Sequence, residues 1–339
     1  MMKCLQISIQ LIPQINIPIE DIYLLYRRTH TTSPMLPLPI VASITALCVS
    51  TFIGFFSNTF IILNHSMDIL RGKNISPREL ILSVLGLFNI FYQCTLIAND
   101  VVLFLWSDLY FSDMVHTTFS FLLLFTIFSS FWFTVCLCGF YYVNIVAFKN
   151  RFLTQLKQKM SDVVNWMLRL AVLISLTISI PIPWNISRNR NHDVSTNVYN
   201  ISVDETQSQV SPQYLLIASM FGCCLPLILV GVANAFVLVA LCINVRLLKK
   251  NSTGISVQSI EACISAARTI TCILLLYLCF YVSVVSLLLN VVLLGSTWFP
   301  LCVTVIYSYS PVQSIILILG SPKLRGAFMK LFASLKTHS

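Results

Sequence analysis

YSYSPVQSIILILGSPKLRGAFMKLF, residues 307–332, holds the end of an apolar run, a Gly-Ser-Pro break, and a segment carrying Lys323, Arg325 and Lys330 among Leu324, Phe328, Leu331 and Phe332. Those apolar positions recur at steps of four, three and one, which places them on one face of a helix with the cations elsewhere. Gly320 suits a helix end, Ser321 can cap the next helix and Pro322 fits its first turn. The stretch therefore reads as a membrane-spanning helix that bends into a short amphipathic helix lying on the cytoplasmic leaflet. A cationic soluble tail would account for the charges but not for the apolar stripe.

Working outward, the chain has 339 residues, of which 10% are charged, and a mean hydropathy of +0.85. So few charges cannot cover the surface of a water-soluble protein of this size. The net charge of +9 is carried by cations that flank apolar runs. That pattern is not the basic stripe with interleaved aromatics of a nucleic-acid binder, so the reading has no nucleic-acid partner and takes the bilayer instead. Most of the twelve cysteines lie inside apolar runs, and the close pairs Cys136/Cys138 and Cys223/Cys224 have no histidine nearby. They read as small buried hydrophobes; no metal or other cofactor is implied.

Residues 40–63 are apolar or small and uncharged, enough to cross about 30 Å of hydrocarbon. Similar runs follow at about 80–105, 115–141, 166–184, 214–243, 269–294 and 297–319, seven in all. The predicted fold is an all-α, seven-transmembrane helix bundle. Three parts follow: a leader over 1–37, a receptor-like domain over 38–320, and an amphipathic helix and tail over 321–339. The leader has no unbroken apolar core of the signal-peptide kind, and Met35, just ahead of span one, is a second candidate start.

Lysines and arginines set the orientation. The loop after span one carries Arg71, Lys73 and Arg78; that after span three carries Lys149, Arg151, Lys157 and Lys159; that after span five carries Arg246, Lys249 and Lys250; the tail carries Lys323, Arg325, Lys330 and Lys336. The alternate loops are poor in cations or balanced by acids. The N-terminus is therefore expected outside and the C-terminus inside. Of the sequons at Asn64, Asn74, Asn185, Asn200 and Asn251, only Asn185 and Asn200 fall outside. Asn185 abuts the end of span four, which leaves Asn200 as the expected glycosylation site.

Seven spans with this orientation suggest a G-protein-coupled receptor. A transporter is expected to show repeats, broken helices or mid-membrane charges, and a retinal protein needs a lysine in the last span; none of these is evident. No His-carboxylate cluster, phosphate loop or nucleophile elbow points to an enzyme. The marks of rhodopsin-like receptors are missing too: span three ends in Phe140-Tyr141-Tyr142-Val143-Asn144, and neither Cys-Trp-x-Pro nor Asn-Pro-x-x-Tyr occurs.

What the chain resembles is the bitter taste receptor family, taste receptor type 2, from about Asn58 to Phe328. NTFI at 58–61 is similar to its Asn-x-Phe-Ile, and ISPRELIL at 75–82 to its start of span two. FYYVNIVAF at 140–148 resembles its Phe-Tyr-x-x-Lys-Ile-Ala-x-Phe, with Asn144 for the lysine. ACISAARTI at 262–270 resembles Ala-His-x-x-Ala-Leu-Lys, with Cys263 for His and Arg268 for Lys. QSIILILGSPKLRGAF at 313–328 is the most specific segment. The chain reads as a divergent member: Asn89 stands for the family's span-two arginine, Gln313 for its span-seven histidine, and Leu123 for a tryptophan many members carry. Vomeronasal type-1 receptors share the architecture and are the alternative, with an orphan membrane transporter more remote.

The resemblance implies a plasma-membrane receptor that binds a small bitter ligand in the outer half of the bundle and activates a gustducin-like heterotrimeric G protein. Pocket candidates by position are Asn99, Asp100, Leu123, Ile127, Phe280, Val303 and Ile306. Each also fits plain helix packing, and Asp100 equally fits a solvated helix end. Lys149, Arg151, Arg246, Lys249 and Lys250 are the candidates for G-protein coupling, though each equally fits a role in holding topology. With arginine absent from span two, Asn89 is expected to be tied to Asn58, Gln313 and Ser314 by amide hydrogen bonds, forming a neutral switch network between spans one, two and seven.

Overall fold

The computed structural model describes residues 38–106, 109, 112–146, 155, 158–190, 206–250, 257–288, 296 and 298–338. Among these residues seven helices are long and apolar enough to cross a membrane. Span one is Leu38–Leu70, span two Pro77–Leu105, span three Asp113–Val146 and span four Met160–Ser179. Span five runs through Pro212–Ser219, a π-helical turn Met220–Cys224, and Leu225–Lys250. Span six is Val257–Leu288, span seven Trp298–Gly320, and a terminal helix Pro322–His338 follows. The helices outrun the apolar windows read from the sequence, most of all at the start of span six. There Gln258, Ser259, Glu261 and Arg268 lower the hydropathy without breaking helix geometry, so the helix extends past the hydrocarbon.

The turn between spans one and two is closed by local chemistry. Gly72 sits at φ 75°, a left-handed conformation that costs glycine little. Its N–H donates to Ile69 O (2.8 Å), and Lys73 N–H donates to Asp68 O (3.0 Å), the paired bonds of a Schellman stop. Four residues on, Ser76 and Glu79 cap each other reciprocally, and Pro77 occupies the first turn.

The bundle buries one face of each span. Ile61, Ile81, Leu85, Phe133, Leu137, Val237, Ile270 and Ile273 lie in its core, while Phe52, Leu173 and Leu275 are 74%, 61% and 56% exposed. Large apolar side chains on the outside as well as the inside are what a lipid-facing bundle requires. A second, smaller core of Phe128, Ile182, Tyr214 and Ala218, with Ile178 of span four packed against it, joins spans three, four and five. Gly222, in the π-helical turn, lets span five close on it: a Cβ there would fall 2.5 Å from Cδ1 and 2.8 Å from Cζ of Phe128.

One feature was not legible as an expectation. After a short helix Ile182–Asn185, strands β1 (Ile186–Arg190) and β2 (Thr206–Val210) pair antiparallel, Ile186 opposite Val210 and Arg190 opposite Thr206. The pair is a small ribbon added to the helical bundle between spans four and five.

Candidate functional site

The middle of the bundle holds a polar node in otherwise apolar surroundings. Asn89 Nδ2 donates to Asn58 Oδ1 (3.2 Å) and to Gln313 Oε1 (2.9 Å), so the amides of spans one, two and seven meet. Gln313 Nε2 in turn donates to Thr134 Oγ1 (3.2 Å) and to the Tyr309 hydroxyl (3.1 Å). Ser130 of span three stands 3.5 Å from Asn89 Oδ1 and 3.4 Å from Gln313 Oε1. Asn58 Nδ2 is bonded back to Gly54 O (2.7 Å) and reaches Ser310 Oγ (3.5 Å). Asn58, Asn89, Ser130, Thr134, Tyr309 and Gln313 are all buried, so each of these bonds forms where water cannot replace it.

Two differences from the sequence reading stand out. Ser314 is not a partner of Asn89: its hydroxyl meets Ser57 Oγ (2.5 Å) and donates to Pro311 O (2.9 Å), because it lies about 100° around the helix from Gln313. The network also reaches span three through Ser130 and Thr134, which the sequence reading missed. The available signal was a hydroxyl pair four residues apart in a run rich in Phe and Leu, which puts both on one helix face.

Above the node, toward the ends of spans two and seven that carry the pocket candidates, lies an aromatic layer. Phe131 packs edge-on against Tyr277 (ring centroids 4.1 Å apart) and Phe280 (5.6 Å), and Phe280 lies 4.8 Å from Tyr309. Tyr309 belongs to both groups, its ring to the aromatic layer and its hydroxyl to Gln313. Of the predicted ligand-binding residues, Asn99, Leu123, Phe280, Val303 and Ile306 are buried and Ile127 is half-buried, all turned into the bundle. Asp100 lies in span two, but its side chain is outside what the structure describes.

The other end of the bundle carries an ionic cluster. Lys323 pairs with Asp68 (2.6 Å) and with Glu79, and Lys73 also reaches Asp68 (3.1 Å). Those two carboxylates, Asp68 first and then Glu79, hold the Lys323 ammonium above the usual lysine range. The first of the tail cations is therefore committed to the bundle and not to a lipid headgroup. The apolar stripe is likewise divided: Leu324 is fully buried and Phe328 meets Phe60 edge-on at 5.4 Å, whereas Leu331 is exposed. Through Phe328 the helix docks on span one with part of the face that the sequence assigned to the membrane, because a neighbouring apolar helix is within reach once the chain has turned at Gly320.

Of the coupling candidates, Lys149 and Arg151 lie outside the described residues; Arg246, Lys249 and Lys250 sit in the last turns of span five, and their side chains are not described. Asn200 lies outside the described residues. Asn185 is half-buried and its amide donates to Pro181 O (2.8 Å). The ten cysteines whose side chains the structure describes are free thiols, and no metal-binding cluster occurs among the described residues.

Comparison with known proteins places this architecture. Residues 35–336 match the family model described as taste receptor protein (TAS2R). Taste receptor type 2 member 40 of Gallus gallus is 28% identical over 274 residues, covering 80% of this chain and 88% of that protein. Taste receptor type 2 member 39 of Papio hamadryas is 28% identical over 303 residues, with 88% of each chain covered, and member 7 of Pan paniscus is 28% identical over 300 residues, covering 84% and 89%. With a family match over most of its length and seven apolar helices in one bundle, the chain belongs to the taste receptor protein (TAS2R) family, as a multi-pass G-protein-coupled receptor of the plasma membrane.

Proposed function

We propose that the chain binds a small organic, bitter-type ligand in the outer half of the bundle and thereby activates a heterotrimeric G protein of the gustducin-like kind. In this reading the N-terminus and the leader 1–37 are outside, the receptor domain spans 38–320, and residues 321–339 are cytoplasmic. Asn99, Leu123, Ile127, Phe280, Val303 and Ile306 face the ligand, with Asp100 at the rim. The observation that carries the mechanism is the double membership of Tyr309. A ligand that displaces Phe280 moves a ring packed 4.8 Å from Tyr309, whose hydroxyl is bonded to Gln313 at the polar node. Ligand binding then shifts the bundle between two arrangements of that node, by the difference in its affinity for them. The chain signals by this shift and carries out no chemistry of its own.

Calcium imaging of cells expressing the chain with a promiscuous G protein tests the reading, screened against bitter compounds. A response that needs the G protein supports it; solute uptake without one would replace it with transport. Arg246, Lys249 and Lys250, with Lys149 and Arg151, are the proposed docking cations. Neutralising Lys249 and Lys250 together is expected to lower signalling at unchanged surface level. A parallel fall of both would assign those lysines to topology instead.

A further inference from the structure

Span seven ends where the inner ends of four other spans converge. Gly320 is buried, and its carbonyl, one of the last four that a helix cannot satisfy internally, accepts a 3.0 Å bond from Arg78 Nη2 of span two. The same guanidinium lies over the Tyr141 ring of span three, 5.4 Å from its centroid. Three residues beyond Gly320, Lys323 is paired with Asp68 of span one and Glu79 of span two. Span six arrives on the α-carbon itself. A Cβ built on Gly320 would lie 2.8 Å from Cγ2 and 3.0 Å from Cβ of Thr269, and closer still to its hydroxyl. Thr269 has little room to turn away: it is 4% exposed, and its hydroxyl donates to Ser265 O of its own helix (2.8 Å).

The junction is therefore asymmetric. Toward spans one, two and three it is tied by an ion pair, a charged hydrogen bond and a cation–π contact. Toward span six it is closed by packing, a β-branched side chain seated on a bare α-carbon. Packing of this kind has a short range and is lost within a fraction of an ångström, whereas the charged ties tolerate small displacements. If the inner face opens, it opens along the span six side.

We propose that the Gly320–Thr269 contact is the latch that holds the inner ends of spans six and seven together in the resting receptor, and that its release exposes the surface on which the G protein docks. The proposal rests on the receptor reading above. Glycine is needed at 320 because any side chain there wedges the two spans apart.

The wedge is the test. Gly320→Ala is expected to raise agonist-free signalling at matched surface level by roughly threefold to tenfold, as when a minor open state gains a comparable factor in population. Thr269→Ala removes the hydroxyl and methyl that the new Cβ would meet, so the double variant Gly320→Ala/Thr269→Ala should return most of the way to the parent level. Thr269→Leu drives the same wedge from the span six side and replaces Gly320→Ala if that variant fails to reach the surface. Hydrogen–deuterium exchange on purified receptor supplies a readout that needs no G protein: residues 264–272 should exchange faster in Gly320→Ala and recover in the double variant. Unchanged exchange there, unchanged or lower basal signalling, or a double variant no different from Gly320→Ala would each overturn the latch. Faster exchange at 264–272 in a chain that never signals, with any ligand, would leave the packing contact intact but remove the receptor reading and the latch's role with it.

Discussion

Asn89 has two amide hydrogens and uses them on two oxygens, Asn58 Oδ1 and Gln313 Oε1, at a position 1% exposed. An arginine here, which the resemblance to taste receptor type 2 implies for span two, would bring a charge that needs solvating; the amide brings none and ties spans one, two and seven with neutral bonds. Such interhelical bonds contribute about 0.6–2 kcal/mol each, so the resting arrangement is held less firmly than by a charged tie. Asn89→Leu leaves both acceptors short of a donor, at a cost of about 1–3 kcal/mol for a buried group. Asn58→Leu removes one of those acceptors. Both changes are expected to shift basal signalling in the same direction, with the double variant adding little to either. Independent, additive effects at equal surface expression would show that no shared tie exists.

Two elements carry predictions that differ in their physics. In span five, Gly222 and Gly231 are one residue type with opposite surroundings. A Cβ at 222 meets the Phe128 ring, whereas a Cβ at 231 meets nothing within 4 Å. Gly222→Ala should lower the thermal midpoint and surface yield of the receptor; Gly231→Ala should be neutral or stabilise it by up to about 1 kcal/mol, since alanine holds helix better. Equal effects would mean that the π-helical turn does not seat span five on span three. In the terminal helix, Lys323 is 44% exposed, so its ion pairs are screened by salt, and Lys323→Met should matter less as ionic strength rises. Its pKa is raised by the carboxylates, so its contribution is fully present below the ordinary lysine value and is lost as pH climbs through the raised one. The difference in thermal midpoint between parent and Lys323→Met should therefore stay constant from neutral pH upward and shrink only above about pH 10.4. A difference that vanishes near neutrality would assign the helix to apolar packing alone.

For the whole molecule, charge sets which way it sits in the bilayer. The order of the spans assigns the cations of the loops after spans one, three and five and of the tail to one end, the end where Arg78, Lys323 and Gly320 meet. Asn200→Gln is expected to remove most of a glycosidase-sensitive mass, because the charge asymmetry assigns that sequon to the outer side. A mass shift caused by Asn251→Gln instead would invert the orientation, and with it the placement of the ligand site and the G-protein face.

The number of spans, the break at Gly320-Ser321-Pro322 and the meeting of Asn89 with Asn58 and Gln313 were legible from the chain alone. Hydropathy and helix periodicity are local properties, and the family resemblance located the departures in spans two and seven. The rest depended on which faces turn toward each other. Nothing in the order of residues says that Lys323 meets Asp68 and Glu79, more than 240 positions away, that Leu324 and Phe328 prefer span one to lipid, or that Ser130 and Thr134 complete the polar node. The ribbon of Ile186–Arg190 and Thr206–Val210 was equally hidden, since its polar strands carry no alternation of apolar residues to announce them. Every such contact joins segments distant in sequence, and its formation is decided by helix rotation and approach. Only the packed bundle sets those, down to the single hydrogen at Gly320 on which Thr269 rests.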